Sequence, residues 1–191
     1  MFAKTLLLLA VLMLVSGLLA DMKPANDQGF SITPEPREEK REAFLVAGLQ
    51  VMNTMESDVM MALWGKFMGV WESIPNATGE VLYGIAFFTD NYDPETNTGY
   101  GYMAATEITS EEKLPEGVVT HKVPAAHYLV FEHRGPLKHL QESFDYIFYK
   151  YLPSSKYTAL YSDVLETYGE GFDGESPDSL IEIWIPVKPL E

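Results

Sequence analysis

The residues with the most chemical promise stand in the run Leu180-Ile181-Glu182-Ile183-Trp184-Ile185-Pro186-Val187-Lys188. In an extended strand Ile181, Ile183, Ile185 and Val187 point to one face, and Glu182, Trp184 and Pro186 point to the other. The first is a core face. The second sets a carboxylate beside an indole, and a carboxylate with aromatic walls holds an organic cation by charge pairing and cation–π attraction together. Desolvated, the same group is a general base with a raised pKa. Alternation alone fits a third state better, a solvated sheet face on which Trp184 covers an apolar edge, because half-exposed strands carry Glu routinely. Tyr83, Tyr102 and Tyr168 lie in other strand-like runs, where phenols supply either ligand walls and hydrogen bonds or ordinary sheet packing. Trp64 falls on the apolar side of a helical pattern, which favours the core over a ligand. Met60, Met61 and Met68 share that side and suit either a soft core or an adaptable pocket.

Other chemistries are excluded or weakly signalled. The chain has no cysteine, which removes thiolate nucleophiles, zinc-thiolate sites and disulfides. His121, His127, His133 and His139 are spaced evenly by six residues, but no single element joins them and none shows the four-residue helical spacing of a zinc motif, so no metal site is expected. There is no glycine-rich phosphate loop and no Gly-x-Ser-x-Gly elbow, and no cofactor is indicated. Asn76-Ala77-Thr78 is a formal glycosylation sequon of little weight. With 13 Lys+Arg against 28 Asp+Glu, the net charge is -15, and such a surface repels phosphate backbones, so nucleic acid is not an expected partner. The stretch from Glu166 to Asp178 holds many of these acids and reads as a solubilising surface.

The elements that must position these residues follow from periodicity. Phe44 to Val51 is a short apolar run of strand type. Met60, Met61, Trp64, Phe67, Met68 and Trp71 recur at helical spacing over about 58–73, with Ser57 or Asp58 as cap and Pro75 as stop. Val81 to Phe88 and Tyr100 to Ile108 form a hairpin around the polar loop Asp90 to Gly99. Val118 to Val123 and His127 to His133 are strands parted by Pro124. Gly135-Pro136 then opens a second helix with Leu137, Leu140, Phe144, Ile147, Phe148 and Tyr151 on its apolar side. Asp163 to Tyr168 and Leu180 to Val187 complete the set. Apart from the strand at Val118, each half reads strand, helix, strand, strand. The expected fold is α+β, two such modules related by a pseudo-twofold axis, with antiparallel sheets, one helix packed per module and a ligand groove between them.

Two segments precede this domain. Lys4 followed by the leucine-rich run Thr5 to Ala20 reads as a secretory signal over residues 1–20. The run is shorter than the about 20 residues of a comfortable membrane span, so stable insertion is expected only if the signal stays uncleaved as an anchor. Residues 21–41 carry Pro24, Pro34, Pro36 and most of the charge run Arg37 to Glu42, and read as an extended linker before the domain at 42–191. The expected location is outside the cytoplasm, periplasmic or extracellular.

Several blocks in order resemble one family: Ala62-Leu63-Trp64-Gly65-Lys66-Phe67, Tyr83-Gly84, Leu114-Pro115-Glu116-Gly117, Val123-Pro124-Ala125-Ala126-His127-Tyr128, Arg134-Gly135-Pro136-Leu137, Tyr151-Leu152-Pro153-Ser154-Ser155 and Glu182-Ile183-Trp184-Ile185-Pro186. They are similar to the GyrI-like small-molecule-binding family, the effector-binding domain of AraC-type and MerR-type multidrug regulators, which also occurs alone. The resemblance runs from about Ala43 to Lys188. It implies two strand-helix-strand-strand modules with an aromatic groove for lipophilic, often cationic molecules, and a characteristic acidic residue at the position matched by Glu182. Some stand-alone members resemble hydrolases that open strained toxins with this glutamate and a tyrosine. The regulator pattern is departed from in two ways, since only a short tether precedes the domain and the chain reads as exported.

Two functions follow as expectations. One is non-enzymatic binding of small lipophilic, cationic molecules, with Glu182, Trp184, Tyr83, Tyr102, Tyr168 and Trp64 lining the groove. The other is hydrolysis of an electrophilic toxin, with Glu182 as base and Tyr83 or Tyr102 as proton donor. Binding is preferred because a pocket is more legible than a nucleophile. Ligand identity and oligomeric state are not encoded in any motif.

Overall fold

A computed structural model describes residues 29–93, 95–170 and 172–190. The signal reading of residues 1–20 and the first part of the linker lie outside these. The strands are β1 (Ser31–Ile32), β2 (Arg37–Arg41), β3 (Phe44–Met52), β4 (Ala77–Asp93), β5 (Thr98–Ile108), β6 (Val119–Val123), β7 (Ala126–Arg134), β8 (Tyr157–Ala159), β9 (Val164–Tyr168) and β10 (Leu180–Pro189). Helix α1 is Ser57–Met68. The second helix runs through α2 (Leu140–Asp145), a π-helical stretch (Tyr146–Tyr151) and α3 (Leu152–Ser154).

The ladder order is β7-β10-β9-β4-β5-β3, every neighbour antiparallel. The protein is thus an α+β fold of two strand-helix-strand-strand modules, β3-α1-β4-β5 and β7-helix-β9-β10. They meet where β4 pairs β9, with Gly84 opposite Glu166 on the seam.

The linker reading fails in its last part. Arg37–Arg41 is not a solvated tether but an edge strand paired with β7, and Ser31–Ile32 extends the same edge. Its mate is β6, which pairs with β3. Each module therefore begins with a strand that crosses to the other module, and the strand at Val118 has a counterpart after all. Alternation explains why a charged run can be a strand: Arg37 and Arg41 lie on one face and pair with Glu182 and Glu107 across the sheet, Arg41 half-buried and Arg37 exposed, while Lys40 on the other face stays exposed.

Both helices pack on one face. Leu63 and Phe67 of α1 bury against Ala47, Ala104 and Ile108. Phe144, Ile147 and Phe148 bury against Leu129, Phe131, Ile183 and Ile185. The apolar side of α1 is narrower than its methionines suggested: Met61 is 64% and Met68 49% exposed, because the inward stripe is Met60, Leu63, Trp64 and Phe67. The helix also stops at Met68, with Gly69 at its end, well before Pro75. Leu137 is likewise exposed, in a 3₁₀ turn ahead of α2.

The opposite face buries Tyr83, Ile85, Met103, Val130 and Leu165 without any helix over them. A sheet can cover such residues only by curling on itself. The cross-links agree, since Arg41 of β2 bonds Glu107 of β5, and His121 of β6 meets Asp163, just ahead of β9, at 2.6 Å, contacts between parts of the sheet remote in ladder order.

Candidate functional site

Strand alternation divides the six residues expected to line one groove into two groups on opposite faces. Trp64, Tyr102 and Tyr168 lie on the helix-bearing face, at the seam between modules. Tyr83, Glu182 and Trp184 lie on the helix-free face.

The seam group surrounds a residue that motif reading missed, Glu166. Tyr102 and Tyr168 both donate to its Oε2, at 2.8 and 2.7 Å. The indole of Trp64 donates to Tyr102 Oη at 3.2 Å and packs edge-on against Tyr168, with ring centroids 5.0 Å apart. Phe172 packs on the same tyrosine at 4.8 Å. Gly84 makes the arrangement sterically possible, for a Cβ there would collide with Tyr102 Oη and Glu166 Oε2. Tyr102 and Tyr168 are buried, whereas Glu166 and Trp64 are half-buried as whole residues.

The electrostatics of this group are unbalanced. Among the described residues no Lys, Arg or His forms an ion pair with Glu166. Burial raises its carboxyl above the ordinary range, with the two phenol hydrogen bonds pulling the other way. Burial, then the neighbouring Glu166 charge, holds Tyr102 and Tyr168 well above ordinary phenols, so both are protonated donors at neutral pH. A desolvated carboxylate with no countercharge and aromatic walls has the most to gain from an incoming cation.

The helix-free group is arranged differently. Glu182 sits between the isoleucine positions of β10, as alternation requires, and is half-buried. Arg37 donates to Oε1 at 2.7 Å, while Trp184 Nε1 and Thr167 Oγ1 donate to Oε2 at 3.2 and 3.3 Å. The Arg37 guanidinium also lies 5.4 Å from the Trp184 ring centroid. The guanidinium beside this carboxylate is supplied by the segment taken for a linker. Beside it Arg41 donates to Glu107 at 2.6 Å and to Tyr83 Oη at 3.0 Å, and stacks 3.6 Å from the Phe44 ring centroid. Burial raises the Tyr83 phenol. A cleft of about 510 Å³ opens over Tyr83, Glu182 and Trp184 and is also lined by Gly169, Glu170, Phe172 and Ser176.

Glu166 carried one usable signal, the pair Glu166 and Tyr168 at strand spacing, which places carboxylate and phenol on one face. It was hidden at the start of an acidic stretch. The histidines go to four separate partners: Asp163, Glu38, Ser143 and Glu142.

Comparison with known proteins places this geometry. The model of the GyrI-like small molecule binding domain matches residues 34–188. The transcriptional regulator BrlR of Pseudomonas aeruginosa is 29% identical over 150 residues, covering 78% of this chain and 53% of the regulator, so the chain spans about half the length of that curated relative. Among solved structures, SAV2435 bound to tetraphenylphosphonium shares the fold with a TM-score of 0.61 at 17% identity, covering 81% of this chain and 94% of that one. The EcmrR C-terminal domain does so with a TM-score of 0.61 at 14% identity, covering 84% and 99%. With the family model spanning both modules and the β2 edge strand, the chain belongs to the GyrI-like small molecule binding domain family.

Proposed function

We propose that this domain binds lipophilic organic cations at Glu166, with Trp64, Tyr102 and Tyr168 as its walls. The observation that carries the reading is the contrast in compensation: Glu166 accepts two phenol hydrogen bonds and no ion pair among the described residues, whereas Glu182 is neutralised by Arg37. A bound cation supplies the charge that the fold withholds, and the rings supply apolar and cation–π contact for its hydrocarbon. The tetraphenylphosphonium held by the similarly folded SAV2435 supports the ligand class.

Isothermal titration with tetraphenylphosphonium tests this. Glu166→Gln is expected to weaken binding at least tenfold, about 1.4 kcal/mol. Glu182→Gln is expected to leave it within twofold. The reverse pattern would place the ligand on the other face and end the proposal.

An exported location belongs to the same reading and rests on Lys4 and the apolar run Thr5 to Ala20. Fractionation of expressing cells tests it: recovery of the whole chain in the cytoplasm alone would refute it.

A further inference from the structure

The two arginines that β2 brings to the helix-free face are held very differently. Arg41 is 23% exposed, bonds both Glu107 and Tyr83, and stacks 3.6 Å from the Phe44 ring centroid. It is locked in. Arg37 is 39% exposed and rests on Glu182 Oε1, with its guanidinium 5.4 Å from the Trp184 ring centroid. An exposed pair of this kind favours the closed arrangement by only about fivefold. Leaving does not strip the guanidinium of a partner either, because Arg37 Nε already donates to the exposed carboxylate of Glu39 at 3.2 Å.

We propose that Arg37 is an autoinhibitory side chain, an internal stand-in for planar amidinium and guanidinium ligands that displace it and bind between Glu182 and Trp184. What it leaves behind keeps its shape. Trp184 Nε1 and Thr167 Oγ1 hold Glu182 Oε2, so Oε1 stays aimed at the place where an N–H donor belongs. Glu182 and Trp184 also line the cleft of about 510 Å³, together with Val81, Phe172 and Leu180, so an apolar group attached to the incoming cation has a wall to lie on. The geometry selects the class. A planar cation with N–H groups makes the charge-assisted hydrogen bond to Oε1 and lies against the indole, as the arginine does. An onium ion without N–H groups leaves Oε1 without a donor, which separates this ligand from the one proposed for Glu166.

Calorimetric titration of the whole chain with benzamidine, an aryl amidinium, tests this. Removing a competitor that closes the site about fivefold should tighten binding by about that factor, in Arg37→Ala and in Arg37→Met, which keeps the stem. Either variant carries the comparison if the other fails to fold. Binding should fall at least fivefold in Glu182→Gln, and phenyltrimethylammonium, an aryl cation without N–H groups, should bind Arg37→Ala at least fivefold more weakly than benzamidine. Four outcomes overturn the proposal: no saturation of the Arg37 variants up to about 10 mM, well above the dissociation constant of a specific site; equal affinity in the wild type and the Arg37 variants; indifference to Glu182→Gln; or displacement of benzamidine by tetraphenylphosphonium. The last would place benzamidine at Glu166, so that reading would stand while the role given to Arg37 would fall.

Discussion

Glu166 and Glu182 stand on neighbouring strands of one sheet, each among aromatic rings, each accepting hydrogen bonds from a ring-bearing side chain. They differ in what compensates their charge. Glu182 faces the side over which β2 closes, and Arg37 arrives with the strand. Glu166 faces the helices, whose inward residues at the seam are Trp64 and its apolar neighbours, and no arginine follows. A carboxylate satisfied within the fold is part of its staple. One satisfied only by neutral phenols keeps its demand for a cation. Aromatic neighbours alone do not make a cation site, because Arg37 stacks beside Trp184 just as a ligand would.

The contrast is broken most severely at Gly84. A Cβ there meets the Tyr102 hydroxyl and the Glu166 carboxylate, so Gly84→Ala is expected to cost about 1–3 kcal/mol of stability. It should also lose tetraphenylphosphonium binding by more than tenfold, read by thermal melting and calorimetry. Retained binding would show that the phenol pair does not shape the site.

Acidity sharpens the contrast next. Because the Glu166 carboxyl is raised in the folded state, the folded form holds its proton longer than the unfolded chain. Its ionisation therefore subtracts stability as pH rises above about 4.3 and through the raised value. Glu166→Gln should melt higher than the wild type at pH 7 and level with it near pH 3.5, because both side chains are then neutral. A bound cation favours the ionised form, so tetraphenylphosphonium affinity should climb with pH by up to about tenfold per unit below the raised value, then flatten. A flat pH profile throughout would contradict this.

Smaller effects are expected on the other face. Arg41→Met removes a half-buried link between β2 and the β4-β5 hairpin and should lower stability by about 1–2 kcal/mol in urea unfolding, with tetraphenylphosphonium binding intact. Arg37→Ala breaks a more exposed pair and should cost under about 1 kcal/mol. It frees Glu182 beside Trp184, and any new, weak cation binding there would show directly that the arginine had been holding a cation's place.

Much of this was legible in the chain. The strands around Glu182 and Tyr102, both helices and the repeated module order follow from side-chain periods of two and near 3.6, which are local properties. β2 was not legible, because Arg37 to Arg41 has no apolar residue to announce a strand and its pairing partner β7 lies far along the chain. The exposure of Met61 and Met68 was missed because a helical stripe has an axis only once it has something to pack on. The family blocks marked the domain, and the block in the last strand singled out Glu182, whereas no block contains Glu166.

The sequence by itself determined the α+β class and the two modules, since alternation and helical spacing are set by neighbours. Only the tertiary structure decided that, of Glu166 and Glu182, it is Glu182 that gains an ion-pair partner among the described residues. That depends on where β2 crosses and which face the helices cover. Both are matters of long-range pairing, and compensation of a charge is a property of what surrounds it in space rather than along the chain.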